Sequence, residues 1–87
     1  AEAQRAAEAV FGAVEGGGVL LVGIPDADWG TKIVGVTASE LTTDDVRFRL
    51  GATLARPALP HEVRRVEALP RTPGGKIDRQ RIIRDWR

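Results

Sequence analysis

Between Leu69 and Arg79 one lysine, Lys76, follows two prolines and two glycines in the run Leu69-Pro70-Arg71-Thr72-Pro73-Gly74-Gly75-Lys76-Ile77-Asp78-Arg79. Rigid and permissive residues alternate there. Glycine removes the side chain that would hold a phosphate or another backbone at a distance, and Ile77 immediately precedes a helix-capping aspartate and so fixes where the lysine stem begins. An ammonium presented this way is suited to lie between two anions. A phosphate-cradling P-loop fails on this sequence, because its pattern needs glycine at Pro70 and Ser or Thr at Ile77. Read without any comparison, the segment is equally a surface turn carrying a solvated lysine.

The rest of the chain must position this loop. Apolar residues at Ala6, Ala7, Val10, Phe11 and Val14 follow helical spacing from Ala3, and the helix is expected to stop at Gly16-Gly17-Gly18. Val19 to Ile24 is nearly continuous in apolar character, the mark of a strand covered on both faces, and Pro25 is expected to close it. A turn over Pro25 to Gly30 leads to a second strand over Lys32 to Thr37. Thr42, with Asp45 three positions on, predicts a capped helix spanning Thr43 to Ala55. His61 to Glu67 is expected to form an edge strand. Asp78 caps a last helix reaching Trp86, with Ile77 and Ile82 placed as a hydrophobic staple. The fold class that follows is α+β, a small β-sheet flanked by helices.

Composition narrows the functional classes. With 43% hydrophobic and 29% charged residues, the 87-residue chain is an ordinary globular domain, too short to divide in two. Thirteen basic residues against 12 acidic leave a net charge of +1, without the excess expected of a nucleic-acid binder. The arginines of the tail, Arg79, Arg81, Arg84 and Arg87, are interrupted by Asp85 and also suit a helix carboxy-terminus. No metal site is expected, since cysteine is absent and His61 is the one histidine. Val19 to Val22 is the longest apolar run considered for a membrane and falls far short of a span, so no membrane partner and a cytoplasmic setting are expected.

The run from Leu69 to Arg79 resembles the final signature of the adenylate-forming (AMP-binding) superfamily, which includes acyl-CoA synthetases, peptide-synthetase adenylation domains and luciferases. Val22-Gly23-Ile24-Pro25-Asp26-Ala27-Asp28-Trp29-Gly30 resembles the superfamily's upstream strand and turn, and the likeness extends from about Ala3 to Trp86. It implies that the whole chain, residues 1–87, is a mobile, lid-type carboxy-terminal subdomain, a piece of a longer ligase whose large amino-terminal domain binds ATP with Mg2+ and a carboxylic acid. On that resemblance Lys76 is the catalytic residue for adenylate formation, with Thr72, Pro73, Gly74 and Gly75 positioning it. The thiol acceptor of the second half-reaction is coenzyme A or the phosphopantetheine of a carrier protein. Trp29 is then a possible coenzyme A contact, against the simpler reading of an indole covering a core edge. A basic residue shortly before Pro60, common in the family, is replaced here by Pro57-Ala58-Leu59, and Arg64 and Arg65 are the residues that could compensate. Activity is not expected from this chain alone. A free-standing module that binds a partner is the alternative from a different class.

Overall fold

The computed structural model describes residues 2–28 and 30–86. The order of elements is α1 (Glu2–Phe11), β1 (Val19–Asp26), β2 (Gly30–Thr37), α2 (Thr43–Leu50), β3 (Val63–Arg65) and α3 (Arg79–Asp85), with short 3-10 turns at Val14–Gly16 and Arg56–Ala58. The three strands form one mixed sheet in the order β1-β2-β3. β1 and β2 pair antiparallel from Val19↔Thr37 to Asp26↔Gly30, whereas β3 runs parallel to β2 through Gly35↔Val63 to Thr37↔Arg65. The α+β class expected from the sequence is the observed one.

Alternation along β1 divides the core in two. Val19 and Leu21 face α1 and α2, joining Ala7, Val46, Leu50, Leu59 and Val63. Leu20, Val22 and Ile24 face the opposite side and pack with Val34, Val36 and Ile82 of α3. The unbroken apolar run is therefore explained by helices on both faces of the strand. Each such fully buried aliphatic side chain contributes about 1.5 to 3 kcal/mol by leaving water. No helix among the described residues is long and apolar enough to cross a membrane.

Several boundaries differ from the sequence expectation, among them the opening of β2 at Gly30 and the close of α3 at Asp85. The first helix ends at Phe11, not at the triple glycine, because Gly12 adopts φ +89° and turns the chain after its amide closes the last helical bond to Glu8 (2.9 Å). Val14, expected on the α1 face, consequently sits in the 3-10 turn and packs into the α3-side cluster. The triple glycine serves the return: Gly17 is left-handed at φ +96°, and a Cβ on Gly18 would stand 2.3 Å from the Gly12 carbonyl oxygen. Helix α2 stops at Leu50 rather than Ala55, since Gly51 and Thr53 are weak helix formers and the Leu50 carbonyl takes a tightening three-residue bond from Thr53 (2.9 Å) beside the bond from Leu54 (2.8 Å). Leu54 still packs against the core. β1 continues through Pro25 to Asp26. It is an edge strand, and the alternation that turns the Leu21 amide outward toward Gln4 (2.8 Å) also turns the imino position of Pro25 to the open side, where no ladder bond is lost.

The expected caps are present. Thr42 and Asp45 form a reciprocal capping box, with the Asp45 amide donating to Thr42 Oγ1 at 3.1 Å and the Thr42 amide to Asp45 Oδ2 at 3.2 Å. Hydrogen bonding by Thr42, chiefly from its backbone amide, holds the Asp45 carboxyl below its usual range. The regular part of β3 covers three residues, yet backbone bonds from His61 to Ile33 (2.8 Å) and from Val66 to Thr37 (2.8 Å) extend the edge on either side.

Candidate active-site loop

The candidate lysine stands on a small hairpin that links the sheet to α3. Arg71 and Ile77 form an isolated antiparallel bridge. Inside it the Thr72 amide donates to the Lys76 carbonyl (2.7 Å) and the Gly75 amide to the Thr72 carbonyl (2.9 Å), while outside it the Asp78 amide donates to the Pro70 carbonyl (2.8 Å). The result is a three-residue loop, Pro73-Gly74-Gly75, with the left-handed residue last, at Gly75 (φ +88°). Proline suits the first loop position because its fixed φ is already that of a turn. Gly74 lies outside the positive-φ region, and a Cβ there would meet only Thr72 Oγ1, at 3.8 Å.

Both ends of the hairpin are tied to the core. Leu69 and Ile77 pack against the cluster that contains Ile82, and Asp78 accepts a bond from the Arg81 amide (3.0 Å), starting α3 directly after the loop. Lys76 itself is exposed, and no described residue engages its ammonium. Thr72, Pro73, Gly74, Gly75 and Lys76 are consecutive residues of this one hairpin. Trp29 lies outside the described residues.

One interaction could not have been read from the motif. The Arg71 guanidinium meets the Glu15 carboxylate through both terminal nitrogens, Nη1 to Oε2 at 3.1 Å and Nη2 to Oε1, and Nη1 also donates to the Gly75 carbonyl at 3.0 Å. Glu15 belongs to the 3-10 turn after α1, 56 positions upstream. The guanidinium holds the Glu15 carboxyl below the usual carboxylate range, and the carboxylate raises Arg71 in turn.

Other arginines have local employment. Arg64 lies over the Trp86 ring, 3.9 Å from its centre, and pairs with Glu62 at 2.8 Å, so it is less available as a phosphate contact than its position in the sequence implies. Arg79 donates to the Leu21 carbonyl on the open edge of β1 (3.2 Å), and Arg81 pairs with Asp85 at 3.7 Å. A cationic cleft of about 380 Å³ opens between Arg47, Arg56, Pro57 and His61. It too was hidden in the sequence, because α2 and the turn before β3 contribute to it from separate stretches.

Comparison with known proteins accords with this geometry. A sequence profile for the AMP-binding enzyme C-terminal domain matches residues 8–76, which take in the whole loop up to the lysine. The chain is 36% identical over 66 residues to the 2-succinylbenzoate–CoA ligase of Listeria monocytogenes, covering 74% of this chain and 14% of that protein. It is 33% identical over 72 residues to the mitochondrial malonate–CoA ligase ACSF3 of Homo sapiens, covering 78% and 12% respectively. The chain therefore spans about an eighth of the length of these relatives. Among solved structures, ATP-bound MatB from Rhodopseudomonas palustris superposes with a TM-score of 0.78 over 98% of this chain and 17% of that one, at 24% identity, a likeness of fold. A Mycobacterium tuberculosis fatty acyl CoA synthetase gives 0.70 at 30% identity, over 79% of this chain and 14% of that one.

Proposed function

This chain belongs to the family of AMP-binding enzyme C-terminal domains, and on that premise we propose that it is the carboxy-terminal part of an ATP-dependent acyl-CoA ligase whose adenylation step uses Lys76. The observation that supports this reading is the exposed ammonium, engaged by no described residue, directly after the turn of a hairpin whose backbone is bonded internally and anchored at both ends. In the adenylation step a carboxylate oxygen attacks the α-phosphorus of ATP and pyrophosphate departs. Negative charge from two reactants must converge for this to happen. The Lys76 ammonium offsets that charge where it accumulates, and a rigid hairpin does so without reorganising during the reaction.

ATP is a substrate here, and its grip, with Mg2+, falls to a large amino-terminal domain. The share of this chain is one positioned cation. Coenzyme A is favoured over a carrier-protein thiol as acceptor, because the curated relatives are CoA ligases by name. The cleft beside Arg47, Arg56 and His61 supplies positive charge suited to the phosphates of that acceptor.

The test is carboxylate-dependent ATP–pyrophosphate exchange across a panel of acids, with the complete polypeptide beside its Lys76→Ala variant. Thioester formation from a supplied acyl-adenylate is followed in parallel. Exchange is expected to collapse while thioester formation is largely retained. Equal loss in both half-reactions would refute the role of Lys76.

A further inference from the structure

The Lys76 hairpin is bonded internally and packed at its base, but it is exposed along most of its length, so the orientation of its turn depends also on what ties it to the rest of the domain. Among the described residues, the hydrogen-bonded side chain that joins the loop to the turn after α1 is that of Arg71. We infer that Arg71 is a positioning residue for Lys76, clamping the Gly75 carbonyl on one side and the Glu15 carboxylate on the other. The inference rests on the adenylation role proposed for Lys76.

The geometry carries it in three steps. Gly75 is the residue immediately before Lys76, so a bond from Arg71 Nη1 to its carbonyl (3.0 Å) restrains the peptide plane from which the lysine departs. The same guanidinium engages both oxygens of Glu15, an arrangement with directional preference that a single ammonium could not reproduce. Glu15, finally, is a firm anchor. Val14 beside it is buried, and the turn is closed by the Gly17 amide to Val14 (3.1 Å) and the Gly18 amide to Ala13 (3.0 Å), with Gly18 tolerating the contact that any Cβ would block. The triple glycine, otherwise a bare chain reversal, thereby sets the far end of the clamp.

An isolated surface ion pair contributes little to global stability and is screened by salt. The clamp matters because it acts on one small loop rather than on the domain. Its loss is expected to make opening of the hairpin up to about fivefold more frequent. Arg71→Ala in the complete polypeptide is expected to speed hydrogen exchange of the 70–78 segment about fivefold while leaving the core helices protected. Pyrophosphate exchange is expected to fall about threefold or more, with thioester formation from supplied acyl-adenylate within about twofold of wild type. Glu15→Gln should reproduce part of both effects, and adding it to Arg71→Ala should make neither worse.

Unchanged hydrogen exchange in Arg71→Ala overturns the clamp whatever Lys76 does. Faster exchange with intact adenylation, in a polypeptide where Lys76→Ala is inactive, overturns positioning while sparing the role of Lys76. Intact adenylation in Lys76→Ala sinks that role, and the positioning claim with it. A loss spread equally over both half-reactions assigns Arg71 to general stability and also overturns the proposal.

Discussion

Alanine at Gly75 and alanine at Gly74 look equivalent in the sequence, and the structure predicts opposite outcomes. Gly75 has φ +88°, a conformation costly for any residue with a Cβ, while no atom lies within 4 Å of where that Cβ would be. The cost is therefore conformational and not steric, about 1 to 2 kcal/mol for an L-residue forced into left-handed backbone. Such a cost shifts the balance between this hairpin and its alternatives by a factor of roughly 5 to 30. Because the loop is exposed and lies at the periphery of its core cluster, the strain is relieved by local rearrangement instead of unfolding. In the complete polypeptide, Gly75→Ala is expected to reduce ATP–pyrophosphate exchange by up to about 30-fold. The melting temperature should fall by less than the roughly 4 to 8 °C that a full 1 kcal/mol of global destabilisation would produce in a domain of this size. Gly74→Ala, with no positive φ and one ordinary contact at 3.8 Å, should keep exchange within about twofold, given that surface changes away from strained positions cost little. Equal activity in the two variants would refute the account of the loop, as would a stronger effect at Gly74.

Three further outcomes follow from the fold. Leu50 is fully buried between α2 and the sheet, so Leu50→Ala should cost about 2 to 5 kcal/mol in chemical denaturation, a large fraction of the stability of a small domain. Glu15 and Asp45 both have carboxyl groups lowered from their ordinary values, the first chiefly by its bond with Arg71 and the second by the Thr42 cap. The stability each contributes is present above the ordinary carboxylate range and is lost as pH falls through the lowered values. Protection factors at the hairpin and at the start of α2, corrected for the intrinsic pH dependence of amide exchange, should thus fall on acidification, less so in the Glu15→Gln and Asp45→Asn variants. Arg56→Glu, on the cationic cleft, should raise the KM for coenzyme A while leaving pyrophosphate exchange near wild type; an unchanged KM would remove the cleft from the acceptor site.

Much of this protein was legible in its sequence because the deciding interactions are local. The Thr42–Asp45 box, the Asp78 cap, the Ile77–Ile82 staple and the apolar run of β1 are all set by residues within a few positions of one another, and each stands where periodicity and capping chemistry put it. The loop from Thr72 to Lys76 belongs to the same class, since its turn is dictated by proline and left-handed glycine. Where local signals competed, the sequence was ambiguous. Val14 continues the helical spacing of α1, and only the positive φ of Gly12 sends it to the other face of the sheet. Distant pairings left no trace in any short window. The parallel docking of β3 beside β2, the cationic cleft shared by α2 and the turn before β3, and the clamp between Glu15 and Arg71 each join residues from separate stretches. Sequence alone therefore determined which lysine is presented and on what kind of turn. The tertiary structure decided what holds that turn in place, because the anchoring carboxylate arrives through packing of the whole sheet and not through anything its neighbours in the chain encode.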